Sequence, residues 1–226
     1  MLRNMLNGHK SGTLANRYRR ARISMLLELV KSYKPPVKIL DIGGVHHFWT
    51  AMDLSEMPEC HITFLNKWPA STISELPNSC YSPGDGRSMP QFEDNEFDIT
   101  FSNSVIEHVG GLRDQKRMAE EAMRVGKSYM VQTPNRRFPI EPHFFLPYFQ
   151  YYPLWLRSFL HARFDLGWWE KADSAYEALE EVESIRLITK SEFKYLFPDA
   201  TIVDEKFMLL TKSFTAISSE VSPVSV

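Results

Sequence analysis

Between Val37 and Thr133 short apolar runs alternate with helical periodicity, and this alternation constrains the fold more than any other feature of the chain. Val37 to Ile42 reads as a buried strand, His61 to Asn66 as a second, Cys80 to Gly84 as a short third and Phe97 to Ser102 as a fourth. Leu112 to Val125 carries a helical stripe, with Met118, Ala119, Ala122 and Met123 facing inward, and Gly126 stands beyond its end. Ser128 to Thr133 is a fifth strand, stopped by Pro134. Parallel neighbours need crossover helices, so the pattern predicts an α/β fold: a mainly parallel, doubly wound sheet with helices on both faces.

The flanks read differently. Leu14 to Tyr33 has helical apolar spacing, with Ile23, Leu26, Leu27 and Val30 on one face, and Lys34-Pro35-Pro36 stops it. Residues 1–36 thus form a helical arm. Its first 22 residues carry Arg3, Lys10, Arg17, Arg19, Arg20 and Arg22 with no acid to balance them, which suits either a solvated helix face or a surface that seeks phosphate or membrane. Residues of about 138–185 form an aromatic-rich insertion with an acidic helix from Ala172 to Glu183. Thr189-Lys-Ser-Glu192 matches a capping box, and two strands follow, Thr201 to Glu205 and about Met208 to Ile217, as an antiparallel pair. Residues 218–226 read as a tail.

Composition excludes several classes. The 226 residues suffice for one core, and a formal net charge of −2 predicts no nucleic-acid partner. Cys60 and Cys80 form no disulfide framework and have no metal-type spacing. No segment has the length and apolarity of a signal peptide or a membrane span, so the expected compartment is the cytoplasm.

Candidate site residues gather at the carboxyl ends of the strands, where open parallel sheets bind ligands. Asp41-Ile42-Gly43-Gly44 ends the first strand, Asn66 the second, Gly84-Asp85-Gly86 the third and Ser102-Asn103-Ser104 the fourth. Glycines let the backbone turn and a ligand approach, an amide at Asn66 can bond a ribose hydroxyl, and Asp85 can accept from an exocyclic amine. His46 and His47, beside Phe48 and Trp49, have no further ligands at suitable spacing, and no metal site is expected.

These stretches together carry a resemblance. V-K-I-L-D-I-G-G, G-D-G-R-S-M-P, F-D-I-T-F-S-N-S-V-I-E-H-V and T-P-N-R-R-F-P-I-E-P-H, in that order, resemble a class I S-adenosylmethionine-dependent methyltransferase of the type 11 kind. The closing F-P-D-A-T-I-V-D-E-K-F and T-K-S-F-T-A-I are similar to that family's last two strands, so the likeness runs over residues 37–217. It implies a Rossmann-like seven-stranded sheet with an antiparallel last strand. It places S-adenosyl-L-methionine against Asp41, Gly43 and Gly44, its ribose near Asn66, its adenine near Asp85 and Gly86, and its methionine part near Ser102 and Asn103. Two departures, Gly43-Gly44 instead of a G-x-G spacing and Asn66 instead of an acid, predict thinner cofactor contacts.

Glu107 and His108 follow the fourth strand, and Glu141 and His143 lie on the loop after the fifth. The first pair can orient or deprotonate a nucleophile or pin the loop. The second can bind or deprotonate a small-molecule acceptor or close the domain as an ion pair. The segment from Phe144 to Leu156 with Trp168 and Trp169 suits a helical insertion packed on the sheet, a lid over an apolar acceptor, or peripheral contact with a membrane. The leading expectation is methyl transfer to an oxygen, nitrogen or carbon of a small molecule. The alternatives are a non-catalytic partner protein on a degenerate methyltransferase fold and a nicotinamide-dependent oxidoreductase.

Overall fold

The computed structural model describes residues 14–44, 48–49, 57–67 and 76–218. His46, His47, the basic residues before position 14 and the stretch after 218 lie outside the described residues.

The expected sheet is present. Strands β1 (Val37–Ile42), β2 (Cys60–Asn66), β3 (Ser79–Pro83), β4 (Phe97–Asn103), β5 (Gly126–Pro134), β6 (Ala200–Phe207) and β7 (Leu210–Ser218) join in the order β3-β2-β1-β4-β5-β7-β6. The pairs among β1 to β5 are parallel, whereas β7 runs antiparallel between β5 and β6. From β1 the chain winds outward to β3, returns to β4, and winds the other way. The carboxyl ends of β1 and β4 therefore flank the point where strand order reverses, and a crevice opens there.

Side chains alternate across each strand, so one run feeds two cores. Leu40, Ile42 and Val131 pack with Met118, Ala119 and Ala122 of helix α2 (Leu112–Val125) and Phe193 and Leu196 of helix α5 (Lys190–Leu196). Ile39, Phe64, Ile99 and Phe101 pack against Leu26, Leu29 and Val30 of helix α1 (Leu14–Lys31) and against Trp49. The face of α1 therefore centres on Leu29 where the spacing predicts Leu27, because Leu29 falls with Leu26 and Val30 against the sheet. Helix α5 opens with the predicted capping box of Thr189 and Glu192.

The aromatic insertion departs from the expected packing on the sheet. Phe144, Phe149, Leu166 and Val182 bury one another in a third cluster, around helices α3 (Leu154–His161) and α4 (Ala175–Glu183). Tyr148, Trp155, Phe159, Phe164 and Trp168 remain exposed. The segment contains more rings than its small core can enclose, and the sheet faces are already covered by α1, α2 and α5.

Candidate active site

The glycine turn after β1 is built by close contact. Gly43 has φ of 72°, and a Cβ there would lie 2.6 Å from Val105 Cγ1. A Cβ on Gly44 would overlap Asp41 Oδ2, so the turn sits directly on the Asp41 carboxylate. Asp41 is buried, and Trp49 Nε1 donates to its Oδ2 at 2.6 Å. Its Oδ1 has no partner among the described residues. Burial pushes this carboxyl up to about 7, against the smaller opposite pull of the Trp49 hydrogen bond. Asp41 thus supports the turn from below.

Around the turn a cleft of about 300 Å3 is lined by Gly43, Asn66, Lys67, Asp85, Gly86, Ser104, Val105 and His108 among others. Asn66 Nδ2 donates to the Gly44 carbonyl at 2.6 Å, joining the ends of β1 and β2. Asp85 accepts from Arg87 Nη2 at 2.6 Å and lies 3.1 Å from Lys67 Nζ. The Arg87 hydrogen bonds, with Lys67 adding, hold its carboxyl well below the usual carboxylate range. The Arg87 backbone N–H and Nε also donate to it, so its roughly four acceptor positions are taken and a further donor would have to displace one of these.

Of the residues read at the end of β4, Ser102 is buried and donates to the Ile42 carbonyl at 3.1 Å, below the cleft. Asn103 keeps a buried Oδ1 without a partner among the described residues. Ser104 lines the cleft instead. Its φ of 56° turns the chain outward, and its Oγ donates to Gln132 Oε1 at 2.9 Å.

Beyond Ser104 four titratable groups meet. A single 3-10 turn, Ile106–His108, brings Glu107 inward and His108 toward the cleft. Glu107 is buried and accepts from Thr133 Oγ1 at 3.0 Å, while its Oε1 has no partner among the described residues. Burial raises its carboxyl to about 7. His108 stacks edge-on against His143, ring centres 4.9 Å apart, and burial followed by the charge of His143 lowers it to about 4. His143 Nδ1 lies 2.6 Å from Glu141 Oε1. Burial lowers the His143 pKa, but the Glu141 hydrogen bond and the charges of Glu141 and Glu107 together outweigh it, so the net shift is upward. Glu141 Oε2 also accepts from the backbone of His143 and Phe144, which fixes the loop. The structure thus unites Glu107, His108, Glu141 and His143, which the sequence places in two separated pairs.

Ser104 also borders a second, mostly apolar hollow of about 220 Å3 between α1, the β5 exit loop and β6–β7. Tyr18, Phe138, Ile140, Phe145 and Phe207 line it. At its base Glu205 meets Arg22 at 3.2 Å and Lys212 at 3.0 Å and accepts from Ser213.

Comparison with known proteins fits this geometry. A family model described as a methyltransferase domain matches residues 49–129, the span from the residue that supports Asp41 to the middle of β5. Residues 49–129 thus carry a methyltransferase domain, and the chain resembles the class I S-adenosylmethionine-dependent methyltransferases. That family's cofactor is S-adenosylmethionine, and the sheet order with its antiparallel β7 is that family's fold. The YcgJ protein of Bacillus subtilis superposes with a TM-score of 0.52 at 16% identity, covering 83% of this chain and 71% of that one. A Haemonchus contortus phosphoethanolamine N-methyltransferase, solved with phosphomonomethylethanolamine and S-adenosylhomocysteine, gives 0.51 at 13% identity, covering 82% and 38%. An uncharacterised Mycobacterium tuberculosis protein is 39% identical over 56 residues, 25% of this chain. The chain matches only 19% of the length of that relative.

Within this methyltransferase fold, sequence reading missed Thr133 as the partner of Glu107 and Lys67 as a partner of Asp85. Thr133 was visible as the last polar residue of its strand, but its partner lies 26 positions away.

No helix among the described residues is long and apolar enough to cross a membrane.

Proposed function

We propose that the chain transfers a methyl group from S-adenosylmethionine to an oxygen, nitrogen or carbon of a small, largely apolar acceptor. The supporting observation is the adjacency of the two hollows, which share Ser104 and adjoin the Glu107–His108–His143–Glu141 cluster. The cofactor supplies an electrophilic methyl carbon on a sulfonium. Gly43 and Gly44 offer it a backbone cradle that side chains would fill, Asn66 lies at the ribose position, and Asp85 and Gly86 border the adenine end. The apolar hollow seats the acceptor with its nucleophile toward Ser104. The four-residue cluster then orients that nucleophile, and in-line positioning alone supplies up to about 7–11 kcal/mol in favourable cases.

Residues 37–217 form the catalytic domain in this reading, with 1–36 as an arm and 138–185 as an insertion beside the acceptor. The exposed rings of Trp155, Phe159 and Trp168 support peripheral contact with lipid, from which an apolar acceptor would be drawn. The free thiols of Cys60 and Cys80 support a reducing, cytoplasmic compartment. A second reading, a binding protein on the same fold, draws support from Asp85, whose carboxylate is already engaged by Arg87 and Lys67.

Calorimetric titration with S-adenosylmethionine and S-adenosylhomocysteine, with NADH as control, tests the proposal. Saturable binding of the first two alone is expected. A folded protein that gives no heat with either overturns the enzymatic reading.

A further inference from the structure

We propose that Glu107, His108 and His143 bind a divalent transition metal ion at the boundary between the cofactor cleft and the acceptor hollow. One donor atom from each of the three lies within 4.8 Å of the others. Two imidazoles and one carboxylate form the donor set used for zinc, iron and related ions, and three protein ligands leave positions open for exchangeable oxygen ligands.

Two further observations point to a ligand. Glu107 is fully buried, and Thr133 holds its Oε2, but Oε1 has no partner among the described residues. A buried carboxylate oxygen without a donor is costly unless something else meets it. The second observation is the Glu141–His143 pair. Glu141 engages Nδ1 at 2.6 Å, which leaves Nε2 as the lone pair that can face an ion. A carboxylate behind a ligating imidazole is the usual outer support of a metal-bound histidine, and here Glu141 is itself fixed by two backbone N–H groups. Thr133 does the same for the Glu107 carboxylate. Ligand and support thus come from three places in the chain: the turn after β4, the end of β5 and the loop after it.

The exposed edge of His108 gives the ion an entry path from the cleft. An acceptor oxygen reaching an open position would be polarised by the ion beside the methyl donor. That role rests on the methyl-transfer reading, whereas metal binding does not.

The test is titration of metal-free protein with Co2+ alone, followed by visible absorption and calorimetry, with Zn2+ as competitor. Expected are one bound Co2+ per chain, a ligand-field band, and displacement by Zn2+. H108A, on the 3-10 turn at the cleft rim, should weaken Co2+ binding at least roughly tenfold, and E141Q by roughly 10–100-fold. S-adenosylhomocysteine binding to both variants, measured separately, reports whether the cofactor cleft persists. Absence of Co2+ binding, or binding that H108A and E107Q leave unchanged, overturns the proposal whatever the cofactor result.

Discussion

Replacing Asp41 with asparagine should stabilise the protein at neutral and alkaline pH. The Asp41 carboxyl lies under the Gly44 turn with one donor, Trp49, and burial lifts its pKa from 3.8 to about 7. Between those values the native state retains a proton that the unfolded chain has released. Stability therefore falls through this group as pH rises from 3.8 and levels off above about 7. A rise from 3.8 to about 7 corresponds to about 4 kcal/mol, an upper bound for the penalty at alkaline pH. The amide oxygen of the D41N variant could still accept from Trp49, and the amide has no charge to desolvate. Urea unfolding of both proteins from about pH 4.5 to about pH 8.5 reads the difference directly. The gap should be small at the acid end and open to several kcal/mol in favour of D41N. Parallel curves, or a D41N protein less stable above about pH 7, would refute the argument. The cationic cofactor should favour ionised Asp41, so its affinity for wild type should rise through neutrality and that of D41N should not.

Three other perturbations have defined outcomes. Gly44→Ala places a methyl group against Asp41 Oδ2 and should cost about 1–3 kcal/mol in stability while abolishing calorimetric S-adenosylhomocysteine binding. Glu205→Gln leaves Arg22 and Lys212 without their shared counter-charge and should lower the unfolding free energy in urea by about 3–5 kcal/mol. Trp155→Ser, at a site 70% exposed, should leave the melting temperature nearly unchanged but reduce co-sedimentation with anionic vesicles if the aromatic insertion meets lipid.

Where local pattern and punctuation agree, the fold was readable to the residue. Val37–Ile42 lies between a Lys-Pro-Pro stop and a glycine pair, and Leu112–Val125 has a regular inward stripe, so both elements match their expected bounds. The site was legible as a set of strand ends but not in its detail. Ser104 adopts a left-handed conformation that serine rarely signals, and this turn carries it into the cleft while Ser102 stays beneath it. Glu205 and Arg22 are 183 positions apart, and no local periodicity can pair them. The insertion escapes sequence reading for a related reason: ring content predicts burial but not the surface against which the rings bury.

That insertion keeps its own core, and the consequence concerns adaptability. Phe144, Phe149, Leu166 and Val182 cluster with one another and not with the two clusters that clamp the sheet. Substitutions there should combine additively with changes beneath the glycine turn, because sites without shared partners rarely couple. Under the proposed function, a lineage could thus retune which molecules are admitted beside the Phe144 cluster while the stability of the sheet stays as it was. In that reading the chain is a fixed engine with an exchangeable intake.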